Sequence, residues 1–300
     1  MIEVLSLGAG VQSSTVMLMS CLSILPKLDA AIFADTQWEP KSVYHHLEYL
    51  QQQAKNANIP LLIRTRGDLR ADAIEFRRNG GKGSGGKGHR RFASMPLFVK
   101  NPDGTVGMIN RQCTTEYKIE VIEKTIRQEL LGLKKGQKAP KDAARIWIGI
   151  SYDEIHRRRS SRSHWHNLRY PLIDDIKSPK KDTLRGRGFD RRDCLNWLSK
   201  NNYPKPPKSA CIGCPYHNDL EWLRMKTHDP EAWADAVAFD KEIRRASALL
   251  IKEKMVGRLI GLPYIHRSCR PLDEVIFDHR DRIALKIYGM GNECQGMCGV

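Results

Sequence analysis

The chain opens on an apolar strand that runs straight into a glycine-rich turn and a helix, an order that few folds accept. Ile2-Glu3-Val4-Leu5 leads into Ser6-Leu7-Gly8-Ala9-Gly10-Val11-Gln12-Ser13-Ser14, and Thr15 to Leu25 has the pattern of an apolar helix. A second apolar run, Ala30-Ala31-Ile32-Phe33, ends at Ala34-Asp35-Thr36-Gln37-Trp38-Glu39-Pro40. Strand, turn, helix and strand make a βαβ unit. A turn of this composition offers backbone N–H groups and the positive end of a helix to a phosphate. Both segments fall at strand ends, where open parallel sheets bind ligands.

The alternation continues. Ser42 to Asn58 is predicted helical and precedes the strand Ile59-Pro60-Leu61-Leu62-Ile63. Glu116 to Leu131 has helical periodicity, and Ile146-Trp147-Ile148-Gly149-Ile150 reads as a buried strand closed by Ser151-Tyr152-Asp153-Glu154. Strands alternating with helices predict an α/β fold with a doubly wound, mainly parallel sheet. A nucleotide-binding domain is expected over 1–175, with a glycine- and lysine-rich loop at 79–91 that serves as a flexible linker or a substrate clamp. Residues 176–300 are expected to be an accessory, mostly helical region. In it, Cys194, Leu195, Trp197 and Leu198 mark an amphipathic helix, Pro204 to Pro207 an extended connector, and Glu221 to Lys254 a mostly helical stretch with Trp222 and Trp233 as packing.

The 300 residues, 41% of them hydrophobic, can fill a sizeable core. Apolar runs are short, and no cleavable leader or membrane span is read in them, so a cytoplasmic protein without a membrane partner is expected. Lys plus Arg is 50 against 34 Asp plus Glu, a formal net charge of +16. The excess clusters at Arg77-Arg78, Lys82 to Arg91, Arg157-Arg158-Arg159, Arg162 and Lys177 through Arg192. One nucleotide needs few of these charges, so a nucleic acid, tRNA or DNA, is the expected partner. Eight cysteines in such a chain favour metal or redox chemistry over a disulfide framework.

In order and spacing, the motifs resemble the phosphoadenosine phosphosulfate (PAPS) reductase-like branch of the PP-loop ATP pyrophosphatases. Gly8 to Ser13 stands in the place of that family's Ser-Gly-Gly-x-Asp-Ser loop. Asp35-Thr36 with Glu39-Pro40 looks like its second signature, and Gly149-Ile150 with Asp153-Glu154 and Arg157 like its third. Arg111-Gln112-Cys113-Thr114, Tyr170-Pro171-Leu172 and Lys208 to Pro215 are similar to phage and bacterial members. The usual loop has Ser, Gly and Asp where this chain has Gly8, Ala9 and Gln12. Backbone donors survive these changes, whereas a carboxylate that would organise the loop or a metal is lost.

The resemblance implies an adenine nucleotide, ATP or a relative, held by Gly8, Gly10, Val11, Gln12, Ser13, Ser14, Asp35, Thr36 and Gly149. Backbone groups, Ser13 and Ser14 would neutralise the leaving pyrophosphate. Asp35 would take a ribose hydroxyl or Mg²⁺, or serve as a turn acid; Glu154 and Arg157 are catalytic candidates or an i,i+3 ion pair. Cys211 and Cys214 have metal-ligand spacing, with Cys113 as a third ligand. Nucleic-acid thiolating members use three cysteines for a [4Fe-4S] cluster; zinc with His217 as fourth ligand, or a plain structural pair, is the alternative. Cys21 and Cys194 read as core, and Cys294 and Cys298 as reactive thiols of the tail, Cys294 being the candidate nucleophile. The first expected function is an ATP-dependent sulfurtransferase or adenylating enzyme acting on nucleic acid, with a sulfur donor protein. A reductase of small sulfonucleotides and a nucleotide- or nucleic-acid-binding module with a degenerate loop are the others.

Overall fold

The apolar runs become strands whose alternate residues enter two different cores, as a sheet covered on both faces requires. In the computed structural model, which describes residues 1–75, 77–78, 90–91, 95–178, 187–252 and 260–277, five strands form one parallel sheet. They are β1 (Ile2–Leu7), β2 (Ala30–Asp35), β3 (Leu61–Thr65), β8 (Ala144–Ile148) and β9 (His166–Arg169), in the order β3-β2-β1-β8-β9. The short strands between them are β4 (Arg77–Arg78) with β5 (Arg90–Arg91), and β6 (Phe98–Lys100) with β7 (Val106–Met108); β10 (Leu262–Tyr264) joins β6. The expectation of an α/β fold with a parallel sheet flanked by helices is met.

Leu5 and Leu7 of β1, Ala31 and Phe33 of β2 and Trp147 of β8 face one cluster with helices α1 (Val11–Cys21), α2 (Lys41–Asn56) and α6 (Arg191–Lys200). Val4, Ile32, Ile146 and Ile148 face the other, under α4 (Glu120–Thr125), a helix extended by π-turns over Thr115–Ile119 and Ile126–Leu130. A third cluster gathers Trp38, α3 (Leu69–Ile74), α7 (Asp219–His228) and α8 (Pro230–Lys252) around Trp222 and Phe239. Phe189, Cys194 and Leu198 join the first cluster, so the segment at 187–200 packs on the face of the sheet that carries α1 and α2. Cys194 is fully buried there and Cys21 half-buried beside it. A short helix, α5 (Pro171–Asp174), connects β9 to this segment.

Several boundaries differ from the sequence reading, two of them with a clear local cause. Helix α1 starts at Val11 instead of Thr15, because Gly10 is extended (φ −93°, ψ −176°) and turns the chain into the helix there. Ser13 and Ser14 therefore lie in the first helical turn. The stretch expected as one helical run from Glu221 is two helices, broken at Asp229, whose successor Pro230 excludes it from helical geometry. Among the described residues no helix is long and apolar enough to cross a membrane. Of the loop expected at 79–91, Arg90 and Arg91 form strand β5, and the rest, like the tail with Cys294 and Cys298, lies outside the described residues.

Candidate nucleotide site

The chain leaves β1 toward β2 and leaves β8 toward β9, so the strand order reverses between β1 and β8. At such a switch point the loops diverge and open a crevice. Here the crevice is crossed by backbone contact. A Cβ on Gly149 would stand 2.8 Å from the Ser13 nitrogen and 2.9 Å from its Cα, so only glycine permits the approach. The loop after β8 thereby touches the first turn of α1.

Gln12 ties the same two segments through its side chain. Its Nε2 donates to Ser151 Oγ at 3.4 Å and to Glu154 Oε2 at 3.3 Å. Its Oε1 accepts from Arg191 Nη1 at 2.9 Å. Glu154 Oε1 in turn accepts from Arg157 Nη1 at 2.5 Å, and both Gln12 and Glu154 are buried. Glu154 and Arg157 are thus an i,i+3 ion pair, but one set inside the site and not on a solvated helix surface.

Ser13 closes the turn on itself: its hydroxyl accepts from the Gly8 N–H at 3.2 Å and donates to the Gly10 carbonyl at 3.4 Å. Ala9 carries the left-handed backbone of that turn, at φ +57°. Ser14, expected on the phosphate side, faces inward. Its N–H is taken by the Gly10 carbonyl and its hydroxyl pairs with His46 Nε2 at 2.9 Å, beneath α2. The earlier start of α1 rotates Ser14 to that face. Burial lowers the His46 pKa to about 4, so the ring is neutral.

Asp35 closes the turn after β2. Its Oδ1 accepts from the Gln37 N–H at 2.7 Å and the Tyr44 hydroxyl at 3.0 Å. Burial, reinforced by the Asp35 charge, pushes the Tyr44 phenol upward. Asp35 in this arrangement is a turn acid.

The Cys-x-x-Cys segment is brought to the same strand end. The Ile212 N–H donates to the Trp38 carbonyl at 2.9 Å, and a Cβ on Gly213 would strike Trp38 Cη2 at 2.1 Å. Cys211 Sγ lies 3.3 Å from Thr36 Oγ1 and 3.6 Å from Glu39 Oε1, with Lys118 Nζ 3.8 Å from the same carboxylate oxygen. Burial, with the Glu39 charge beside it, pushes the Cys211 thiol well above its ordinary range.

Cys113, Cys211 and Cys214 share one cluster, and the buried hydroxyls of Thr114 and Ser209 next to them find no hydrogen-bond partner among the described residues. Such hydroxyls suit a group that accepts hydrogen bonds, yet among the described residues no three His, Cys, Asp or Glu side chains are grouped to hold one ion. The side chains as placed do not form a ligand set. His217, the alternative zinc ligand, is engaged at both ring nitrogens: Nε2 with the Cys211 carbonyl at 3.0 Å, Nδ1 with Glu221 Oε2 at 3.3 Å. Burial lowers its pKa to about 3. It acts as a brace for the cysteine turn.

Arg191, His46 and Lys118 belong to these surroundings but do not stand out as site residues in the sequence. Arg191 lies among Arg187 and Arg192, chemically identical neighbours that hide which one reaches the loop. A scan against protein-family models finds no match for this chain, and a search of curated proteins finds no significantly similar sequence.

Proposed function

We propose that the chain is a PP-loop-type enzyme that uses ATP to adenylate a nucleic acid and then exchanges the adenylate for sulfur. The observation supporting this reading is the crossing of the switch point. Gly149 against Ser13, and Gln12 with Glu154, join the two loops that resemble the family's first and third signatures into one site. In this reading the first-turn N–H groups of α1 hold the phosphates, and Asp35 leaves the Tyr44 turn for a ribose hydroxyl or Mg²⁺. An oxygen of the acceptor attacks the α-phosphorus and the bond to pyrophosphate breaks. The outer sulfur of a donor protein's persulfide then attacks the activated carbon and displaces AMP. A second thiol of the donor attacks the inner sulfur, releasing the thiolated acceptor and leaving a disulfide on the donor. The choice of nucleic acid rests on the +16 charge, more than one nucleotide needs.

Calorimetry with ATP tests the first half. Wild-type chain should bind, and Gly10→Val should abolish binding by blocking close approach of the phosphate. Unchanged affinity in Gly10→Val moves the nucleotide elsewhere. Salt titration of tRNA and DNA binding tests the second half, with a steep log–log slope expected. Protein that ignores both polymers at low salt while binding a sulfonucleotide favours the reductase reading. Iron, sulfide and zinc analysis after anaerobic purification decides whether Cys113, Cys211 and Cys214 hold a metal.

A further inference from the structure

We propose that the open face of the β10-β6-β7 sheet is a stacking platform for single-stranded nucleic acid, an inference that rests on the nucleic-acid part of the reading above. Residues directly opposite one another on paired strands share a face. Phe98 of β6 stands between Tyr264 of β10 and Met108 of β7, and Lys100 stands between Leu262 and Val106. These six side chains make two rows on one face. On the other face Val99 and Pro263 are buried, and the flanking Leu97 and Ile265 enter the third cluster. The sheet therefore has a packed side and an open side. On the open side Val106 is 56% exposed, Met108 40% and Leu262 36%, Lys100 is exposed, and Phe98 and Tyr264 are half-buried. Arg244 of α8 braces the Tyr264 ring, 5.2 Å from its centre, and Asp240 balances its charge.

The make-up of the two rows selects the occupant. Aromatic rings side by side on neighbouring strands stack bases with little regard to sequence, since every base has a flat face. Lys100, in the middle of its row, pairs with no carboxylate among the described residues. A dry protein interface would bury that cation uncompensated, and a second copy seated on the same face would bring two Lys100 charges together. The phosphate between two stacked nucleotides accepts from the ammonium instead. The platform also lies beside the cysteines. Five residues of chain lead from Met108 to Cys113, which packs on the same third cluster. At about 3.6 Å per residue their separation is at most about 18 Å. A strand stacked on Phe98 and Tyr264 thus passes within a few nucleotides of Cys113.

The test uses the full chain and fluorescence anisotropy over a range of salt. Its probes are labelled oligothymidylate and oligouridylate of roughly 12 nucleotides and a duplex of the same length. Phe98→Leu and Tyr264→Leu keep apolar area and remove the rings. Each should weaken both single strands about tenfold at every salt concentration, and the duplex by less than about threefold, with ATP binding unchanged. Tyr264→Phe should bind as wild type does, because the ring remains. Lys100→Ala should flatten the log–log salt slope for the single strands by about 0.7. Met108→Glu, at the exposed edge of the platform, should weaken the single strands without moving the urea midpoint, which separates loss of binding from loss of fold. Leucine variants that bind single strands as wild type does overturn the platform and leave the nucleic-acid reading standing. So does a wild-type dimer in sedimentation that Met108→Glu returns to monomer with oligonucleotide binding unchanged, since the face then holds a second copy. Wild-type protein that binds neither single strand nor duplex at low salt overturns both.

Discussion

Gly149 has no side chain because Ser13 occupies the space one would need. Gly149→Ala should force the two loops apart and cost about 1–3 kcal/mol in urea unfolding. Gly107→Ala, where a Cβ meets nothing within 4 Å, should change stability by less than about 0.5 kcal/mol. Equal effects would mean that the contact with Ser13 relaxes freely. Three buried histidines add a pH dependence of one sign. Burial depresses His46 to about 4 and His217 to about 3, and lowers His266 as well. Each is more easily protonated in the unfolded chain, whose histidines titrate near 6.5. The unfolded state thus binds more protons below that value, and stability falls as pH drops from about 6.5 toward 4. His46 alone accounts for about 2–3 kcal/mol of that loss. His46→Asn should give a shallower decline of urea midpoint with pH; an unchanged decline would remove His46 as a cause. At this scale the sequence shows that Gly8 to Ser14 and Gly149 are special, because glycines after buried strands have few other uses. It does not show which way Ser14 points, since that depends on the residue at which α1 begins.

Among the elements, α8 carries the third cluster through one buried carboxylate. Asp240 accepts from the Ile265 N–H at 3.1 Å and the Leu272 N–H at 2.9 Å, and pairs with Arg244. Asp240→Ala leaves two N–H groups and a guanidinium without that partner. It should cost about 3–5 kcal/mol and open the segment at 265–277 to limited proteolysis. Asp240→Asn should lose less, since its amide still accepts one bond; resistance to protease in Asp240→Ala would show that apolar packing alone holds the segment. Helix α7 depends on a smaller device, the capping box of Asn218 and Glu221, and Asn218→Ala should cost about 1 kcal/mol by thermal or urea unfolding. Strands β1, β2 and β8 and helices α2, α6 and α8 are legible in sequence because long apolar or amphipathic runs dominate them. The break at Asp229 is missing from the sequence reading, although Pro230 is the local signal that marks it. The seating of the cysteine turn on Trp38 is not, because residues 38 and 213 carry no shared pattern.

For the whole molecule, Trp38 matters by position. It follows β2, whose Phe33 and Ala34 lie in the first and second sheet-side clusters, yet its ring belongs to the third cluster. Asp235 of α8 accepts from its Nε1 at 2.6 Å and also pairs with Arg70 of α3. Cores linked through one residue in this way should melt together. Near-ultraviolet signals from the buried tryptophans and far-ultraviolet circular dichroism should share one midpoint, and separate midpoints would mean that the third cluster unfolds by itself. The parallel sheet is readable from alternation of strand and helix, but the strand order is not. Nothing local to β1 and β8 records that they are neighbours.

Strand β1 is made before either of the strands it pairs with, yet it ends in the middle of the sheet. β1 pairs on one side with β2, which follows closely, and on the other with Ala144 to Ile148. At roughly 5–20 residues per second, several seconds of synthesis separate the two pairings. Through that interval β1 presents an open edge and an uncovered apolar face, the surface on which a second nascent chain can add a strand. Production of this protein is therefore a race between its own β8 and the β1 strands of neighbouring chains. Slower initiation, sparser ribosomes or a holding chaperone should raise the soluble yield without any change to the sequence.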